Sequence, residues 1–196
     1  MSLILASTSG IRRRLLANAG IAVAVVAPTL DEAQARQGLA AERPVAEVAE
    51  ALAIAKARTV SANRPDDHVI GADQILVLDN AIYAKPGDLA EARRHLASLR
   101  GRTHTLITAA AVLHGEGVLA TITDSANLTM RQFSDAFLDR YLAAAGPDVT
   151  GSVGAYRLEE LGAQLFERIE GDYFTILGLP LLPLLSFLRT ERLIPS

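Results

Sequence analysis

The sequence contains no cysteine among its 196 residues. This absence excludes a disulfide, a thiolate nucleophile and a cysteine-ligated zinc site. A chain without cysteine suits a reducing compartment, so we expect a cytoplasmic protein. The start of the sequence agrees with that expectation, because its basic residues follow a short apolar run, which is the reverse of a secretory signal.

An excess of positive charge is also absent. The chain has 19 Lys and Arg against 22 Asp and Glu, for a formal net charge of -3 at pH 7. Sequence-independent binding of nucleic acid needs a broad excess of Lys and Arg, and binding of single strands also uses aromatic side chains, which make up only 5% here. We therefore expect no nucleic-acid partner, although a small phosphorylated ligand would need only a few local cations.

Long apolar runs are missing as well. The apolar stretch from Ile176 to Leu188 is too short to span a bilayer, and it contains Pro180 and Pro183. We interpret this stretch as a buried helix and expect no membrane partner.

What the sequence has in quantity is small aliphatic side chains, within a hydrophobic content of 50%. These side chains suit helices packed on a sheet, and the pattern predicts an α/β protein. Predicted strands cover residues 3–6, 22–27, 69–79 with an interruption at 71–73, 81–84, 103–114, 118–131 and 164–169. Predicted helices cover residues 12–19, 45–62, 89–99, 135–145 and 181–192, and residues 28–44 are predicted to be a polar loop.

The first candidate site lies at a predicted strand-to-helix turn that carries Ser7, Ser9, Arg12 and Arg13. The free N–H groups at the start of a helix favour an anion, and two hydroxyls and two guanidiniums would complete a phosphate-binding site. The G-x-x-x-x-G-K-[ST] pattern of a Walker A loop is missing. The alternative interpretation is an ordinary capped helix with a solvated basic face.

The second candidate site is acidic. Asp31 and Glu32 lie in the predicted loop, and Asp73 lies inside an apolar strand next to Gly71. A buried carboxylate needs a partner or a metal, and Mg²⁺ prefers such oxygen ligands and bridges them to substrate phosphates. Phosphoanhydride hydrolysis also needs a carboxylate that can take a proton from water. The alternatives are a strand-end turn for Asp73 and a surface carboxylate for Glu32.

The third candidate site consists of Lys56 in an Ala-rich helix and Lys85 before a Pro-Gly turn. Lysines bind phosphates as point charges, although each could equally be a surface residue. The four histidines have no metal-ligand spacing such as H-E-x-x-H, so we expect them to be structural or exposed.

Together these residues resemble the Maf (septum-formation inhibitor) family, and the match runs in order along nearly the whole chain. The opening LILASTSGIRRRLLANAGI is similar to the family's L-A-S-x-S-x-x-R motif. The blocks that follow are DE at 31–32, ALAIAKA at 51–57, VIGADQILVLDNAIYAKPGD at 69–88, LRGRTHTLIT at 99–108, GAYRLEELGAQLFERIEGDY at 154–173 and GLPLLPLL at 178–185. The opening followed by six further blocks in the right order is a specific signal, whereas one Ser/Arg turn is not.

The resemblance implies a Maf/ITPase-like α/β fold for residues 1–196, with a mixed central sheet flanked by helices and two lobes with a substrate cleft between them. It also implies a homodimer and a nucleoside triphosphate pyrophosphatase that uses Mg²⁺ or Mn²⁺ and clears modified or non-standard nucleotides. In this reading water attacks the α-phosphorus with assistance from the metal. The implied roles are Asp73 as general base, Ser7, Arg12, Lys56 and Lys85 as phosphate ligands, and Glu32 with Asp73 as metal ligands.

The base of the substrate is left open by three positions. Many family members that act on dTTP and UTP have an arginine, a threonine and a glutamine where this chain has Ile11, Gln74 and Glu159. Gln74 and Glu159 resemble the branch that acts on 7-methyl-GTP, but that branch tends to carry an aromatic residue at the position of Ile11. The alternatives to a pyrophosphatase are a non-catalytic regulator of septum formation and a phosphatase that releases inorganic phosphate.

Overall fold

A computed structural model describes residues 2–40 and 43–195, which form seven α-helices and seven β-strands. The strands are β1 (Leu3–Ala6), β2 (Ala24–Val26), β3 (His68–Leu78), β4 (Ala81–Tyr83), β5 (Thr103–His114), β6 (Gly117–Met130) and β7 (Phe166–Glu170). The helices are α1 (Gly10–Asn18), α2 (Glu32–Ala40), α3 (Val45–Ser61), α4 (Leu89–Leu99), α5 (Asp135–Ala145), α6 (Tyr173–Ile176) and α7 (Leu181–Thr190). Short 3-10 helices occur at Pro147–Gly151, Val153–Ala155 and Leu161–Leu165.

The seven strands form one sheet in the order β2-β1-β3-β5-β6-β7, with β4 paired to β3. Strand β1 is parallel to both β2 and β3, whereas β4 is antiparallel to β3 and β7 is antiparallel to β6. The sheet is therefore mixed. The predicted α/β class, with a mixed sheet flanked by helices, is confirmed.

The chain divides into two compact units. Unit 1 contains the described residues of Met1–Gln74, Ile107–Asp124 and Tyr173–Ser196, and unit 2 contains Ile75–Leu106 and Ser125–Asp172. Helices α1, α2, α3, α6 and α7 belong to unit 1, and helices α4 and α5 belong to unit 2.

Three helices begin at polar residues that bond to the free N–H groups of the first turn. The side chains of Ser9, Asp88 and Ser134 accept hydrogen bonds from the backbone at the starts of α1, α4 and α5. Such caps stabilise a helix by about 1 kcal/mol each. Asp88 and Ser134 lie directly before the predicted helices at 89–99 and 135–145, and the predicted starts of both helices are confirmed.

The loop predicted from Pro28 to Pro44 is wrong, because most of it is helix α2. Asp31 lies directly before this helix, and its Oδ1 accepts a hydrogen bond from the Gln34 N–H at 3.0 Å. Glu32, Ala35, Arg36 and Leu39 are the less exposed residues, and this spacing places them on one face of the helix. Glu32 therefore projects from a helix rather than from a loop.

The interruption predicted at residues 71–73 is also wrong, because β3 runs without a break from His68 to Leu78. Gly71 allows close packing here. A Cβ at this position would lie 2.1 Å from the Ala53 carbonyl oxygen and 2.9 Å from the Ala57 nitrogen, both in α3. The glycine is therefore required for the contact between α3 and β3 and does not end the strand.

The single buried helix predicted from Ile176 to Leu188 is only partly correct. Helix α6 ends at Ile176, and α7 starts at Leu181, directly after Pro180. Proline fits the start of a helix but lacks the N–H that a helix interior requires. None of the helices in the described ranges is long and apolar enough to cross a membrane.

Candidate active site

Hydrogen bonds link the polar groups of the turn between β1 and α1 to one another. The Ser7 hydroxyl is buried, and its Oγ accepts hydrogen bonds from the Ser9 N–H at 3.1 Å and from Arg12 Nη1 at 3.4 Å. The Ser9 Oγ accepts a hydrogen bond from the Arg12 N–H at 3.5 Å. The sequence-predicted residues Ser7, Ser9 and Arg12 are therefore contiguous at the N-terminus of a helix, where an anion is stabilised.

Arg12 connects this turn to two other segments of unit 1. Its Nε donates to the Gly178 carbonyl oxygen at 2.6 Å, and its Nη1 donates to the Ala72 carbonyl oxygen at 2.9 Å. Burial lowers the pKa of Arg12, whereas the nearby charges of Asp73 and Glu32 raise it. Arg12 is therefore held in a fixed orientation near both carboxylates. Its neighbours Arg13 and Ile11 lie on α1, where Arg13 is exposed and Ile11 is half-buried.

The close packing of α3 on β3 brings Lys56 to Asp73. Lys56 lies on the buried face of α3, in register with Leu52, Ala53 and Val60, and is 4% exposed. Asp73 is 2% exposed, and its Oδ1 lies 2.7 Å from Lys56 Nζ. A lysine on the buried face of a helix needs an anionic partner, and Asp73 supplies it. Lys56 is therefore not an ordinary surface residue.

Helix α2 adds two further charges to this pair. Glu32 Oε2 lies 2.9 Å from Lys56 Nζ, and Arg36 Nη2 lies 3.8 Å from Asp73 Oδ2. The two residues are four apart on the helix, so they project from the same face. Glu32, Lys56, Asp73 and Arg36 form a cluster with two negative and two positive charges, which we call the buried charge cluster.

One oxygen of the cluster stands out. Asp73 Oδ2 is buried and accepts no hydrogen bond from any residue that the structure describes. The same holds for the buried Nε of Arg36 within the described ranges. Unsatisfied buried polar groups are rare in native proteins because each costs free energy. An acceptor and a donor without partners in the same cluster indicate a place where a ligand binds.

Arg36 was missed by the sequence analysis because its segment was interpreted as a loop. A signal for the helix was present: Asp31 is a good N-cap, and residues 32–36 are all compatible with a first helical turn. With α2 assigned, the spacing from Glu32 to Arg36 would have placed both charges on one face.

Gln74 is held by a separate network in unit 1. Its Nε2 lies 2.9 Å from Thr108 Oγ1 and 3.0 Å from the carbonyl oxygens of Thr175 and Ile176. Thr108 in turn donates to the Thr175 carbonyl oxygen at 2.9 Å, and Thr175 donates from Oγ1 to Asp124 at 2.7 Å. Because Nε2 faces three acceptors, the orientation of the amide is fixed, which suits a residue that recognises a substrate.

Lys85 and Glu159 belong to unit 2 and not to the unit that holds the buried charge cluster. Lys85 is exposed and follows β4, and Glu159 is half-buried in the segment before Leu161–Leu165. Their predicted roles in phosphate binding and base selection stay predictions.

Comparisons with known proteins agree with the resemblance seen in the sequence. The family model described as Maf-like protein matches residues 2–191. A nucleoside triphosphate pyrophosphatase of Bradyrhizobium diazoefficiens is 52% identical over 194 residues, covering 98% of this chain and 95% of that protein. A 7-methyl-GTP pyrophosphatase of Rhizobium meliloti is 52% identical over 188 residues, covering 95% of this chain and 94% of that protein. A nucleoside triphosphate pyrophosphatase of Granulibacter bethesdensis is 49% identical over 193 residues, covering 98% of each.

Proposed function

The chain belongs to the Maf-like protein family, and from this premise we propose that it is a nucleoside triphosphate pyrophosphatase that hydrolyses an NTP to its NMP and pyrophosphate. The single observation that best supports this function is Asp73: a buried carboxylate with one oxygen on Lys56 and the other without a hydrogen-bond partner among the described residues. Three relatives of about half-identical sequence carry names of this reaction class.

In this proposal the phosphates bind to the cations and hydroxyls of unit 1. The N-terminus of α1, with Ser7 and Ser9, favours an anion. Arg12 supplies positive charge at this turn, and Lys56 supplies positive charge at Asp73. Arg13 and Lys85 are further proposed phosphate ligands: both side chains are exposed, and the family resemblance assigns Lys85 this role.

The donor set also fits a divalent cation. Asp73 offers a buried oxygen without a hydrogen bond from the described residues. The Glu32 carboxylate forms an ion pair with Lys56, as Asp73 does. The described parts of the chain contain no group of three or more His, Asp or Glu that could form a metal site by themselves. Mg²⁺ is commonly bound by one or two carboxylates together with substrate phosphates, so Asp73 and Glu32 would hold it. When bound, Mg²⁺ or Mn²⁺ would neutralise charge on the phosphate oxygens.

The reaction consumes one water molecule. The Asp73 carboxylate accepts a proton from the water as the oxygen of the water attacks the α-phosphorus. The bond from the α-phosphorus to the oxygen that bridges to the β-phosphorus breaks, and pyrophosphate leaves with the electron pair. Arg12 and Lys56 stabilise the negative charge of the phosphates, because cations held in place by the protein do not have to reorganise during the reaction.

The preferred base is proposed as one of two candidates. The resemblance of Gln74 to the corresponding residue of the branch that acts on 7-methyl-GTP, together with the relative from Rhizobium meliloti, favours a 7-methyl-GTP pyrophosphatase. The relatives from Bradyrhizobium diazoefficiens and Granulibacter bethesdensis favour the broader description of a nucleoside triphosphate pyrophosphatase. Ile11, Gln74 and Glu159 are the proposed specificity residues.

The proposed function is tested with a panel of canonical, methylated and deaminated NTPs, incubated with Mg²⁺ or Mn²⁺ or with EDTA. Pyrophosphate and inorganic phosphate are quantified separately. We expect pyrophosphate and NMP in equal amounts, with loss of the reaction in EDTA. Inorganic phosphate as the first product would indicate a phosphatase, and no product from any nucleotide would favour the regulatory alternative.

A homodimer in the cytoplasm is proposed as the working state of the enzyme. The support is the family resemblance and the absence of cysteine from the sequence. Sedimentation equilibrium of the purified protein measures its oligomeric state, and a mass of one chain at micromolar concentration would contradict the homodimer. Fractionation of the native host tests the cytoplasmic location.

A further inference from the structure

We propose that Arg36 is a ligand of the α-phosphate, the phosphoryl group that water attacks. This role rests on the proposed pyrophosphatase function and adds to it a residue that the resemblance did not include.

The position of Arg36 is the first step. Its side chain is 15% exposed and projects from α2 toward Asp73, with Nη2 3.8 Å from Oδ2. This distance is too long for a hydrogen bond, although the opposite charges attract. The buried Nε–H has no acceptor among the residues of the described ranges. The guanidinium is therefore near the carboxylate but retains N–H groups for another acceptor.

The chemistry of a guanidinium is the second step. Its N–H groups form a planar fork that matches two oxygens of one phosphoryl group, and such charge-assisted bonds are stronger than neutral ones. Lys56 supplies charge but no fork, and its ammonium lies within ion-pair distance of both Asp73 and Glu32. Arg12 already donates Nε and Nη1 to backbone carbonyl oxygens. Of these three cations of unit 1, Arg36 makes the fewest hydrogen bonds within the described residues.

The direction of attack is the third step. In phosphoryl transfer the attacking and leaving oxygens lie roughly in line on opposite sides of the phosphorus. The general base is on the side of the attacking water, so a group that lies against Asp73 Oδ2 is on that side too. Arg36 is thus placed to bind the non-bridging oxygens of the α-phosphate and not the departing pyrophosphate.

Two variants of Arg36 and one control test this assignment. Arg36→Gln removes the charge, and Arg36→Lys keeps the charge but removes the fork. Arg58→Gln is the matched control, because Arg58 is an exposed residue of the neighbouring helix α3. Calorimetry measures the binding of AMP, GMP, CMP, UMP, 7-methyl-GMP and pyrophosphate to each protein in Mg²⁺, and kcat and KM are measured for the best NTP.

We expect Arg36→Gln to weaken the binding of the best NMP by about tenfold or more, as loss of a charge-assisted hydrogen bond implies. Its binding of pyrophosphate is expected to stay unchanged. Arg36→Lys is expected to lose part of the NMP affinity and to fold like the wild type, so it carries the test if Arg36→Gln unfolds. Arg58→Gln is expected to match the wild type throughout.

Several results would overturn the role of Arg36. They are unchanged NMP binding in both variants, a loss confined to pyrophosphate, and an absence of NMP binding in the wild type. A shift in the pH profile of kcat without a change in NMP affinity would also overturn it, because Arg36 would then act only on Asp73. The proposed function fails separately, if the wild type binds an NMP but releases no pyrophosphate from any NTP.

Discussion

Units 1 and 2 both bury polar side chains, but they do so in opposite ways. In unit 2, buried His104 lies with its Nε2 2.7 Å from the hydroxyl of buried Tyr156. Burial lowers the pKa of His104 to about 4 and raises the pKa of Tyr156 above its ordinary value, so both groups are neutral near pH 7. In unit 1, the buried charge cluster instead brings together four ionisable side chains, which are Asp73 and its three neighbours in the cluster.

The ion pairs of unit 2 are at its surface. Arg93 pairs with Asp139 at 2.8 Å, and both side chains are largely exposed. Charges in water contribute little to stability, whereas buried charges lose hydration that their partners must replace. Unit 2 therefore has the usual arrangement of a folded protein, in which charged side chains lie at the surface. Unit 1 departs from this arrangement at Asp73. In the proposed function, this departure is where the general base Asp73 lies.

The largest effect on stability is expected from Lys56→Met. The substitution leaves Asp73 buried without its closest cation, and breaking such a pair costs about 3–5 kcal/mol. Urea unfolding followed by circular dichroism measures the change. Adding Asp73→Asn to this variant is expected to recover part of the loss, because the unpaired charge is then removed.

The matched substitution in unit 2 is Arg93→Met, which breaks an exposed ion pair. We expect its unfolding midpoint to equal that of the wild type. Equal losses from Lys56→Met and Arg93→Met would contradict the contrast between the two units.

A smaller effect is expected from His104 and from pH. The unfolded chain binds a proton near the ordinary pKa of 6.5, whereas folded His104 binds it only near 4. The stability due to His104 is therefore complete above pH 6.5 and is lost as the pH falls toward 4. The loss amounts to about 3 kcal/mol, since one unit of pKa corresponds to about 1.4 kcal/mol.

His104→Gln checks this prediction, because it removes the titrating group. Urea unfolding at pH 7 and at pH 4.5 should show a smaller loss of stability in the variant than in the wild type. The same loss in both proteins would show that His104 does not retain its neutral form in the folded state.

The smallest effects on stability are expected from alanine substitutions at two glycines, which both have space for a Cβ but differ in backbone conformation. A Cβ at Gly38 or at Gly20 would meet no heavy atom within 4 Å, but Gly20 has φ +76°. Gly38 lies inside α2, so Gly38→Ala should stabilise the protein by about 0.5–1 kcal/mol. Gly20→Ala should destabilise it by about 1 kcal/mol.

Thermal unfolding of the two alanine variants measures both changes. A destabilising Gly38→Ala would contradict helix α2, and with it the placement of Glu32 and Arg36 in the buried charge cluster.

Much of the fold was predictable because local signals agreed with the tertiary structure. Helix α3 has an Ala-rich sequence without glycine or proline, and Asp88 and Ser134 are good caps placed before α4 and α5. Helix α2 was missed because the polar segment between Pro28 and Pro44 suggested a loop. The helix contains Gly38, which an exposed helix tolerates at a modest cost.

The site was predictable in residue type but not in geometry. The carboxylate of Asp73 inside an apolar strand needed a partner, and Lys56 and Glu32 were among the candidates. The position of Arg36 depends on the face of a helix that was not predicted. The fixed amide of Gln74 depends on Thr108 and Thr175, which are distant in sequence and adjacent only after folding. Sequence periodicity carries no information on such contacts.

The central claim is that the buried charge cluster of unit 1 performs the hydrolysis, and Asp73→Asn tests it most directly. The control is Asp66→Asn, the same substitution at an exposed residue before β3. With the best NTP of the panel, we expect Asp73→Asn to slow pyrophosphate release by about a thousandfold, the scale of a lost general base, while Asp66→Asn keeps the wild-type rate. A folded Asp73→Asn protein that releases pyrophosphate at the wild-type rate would contradict the claim.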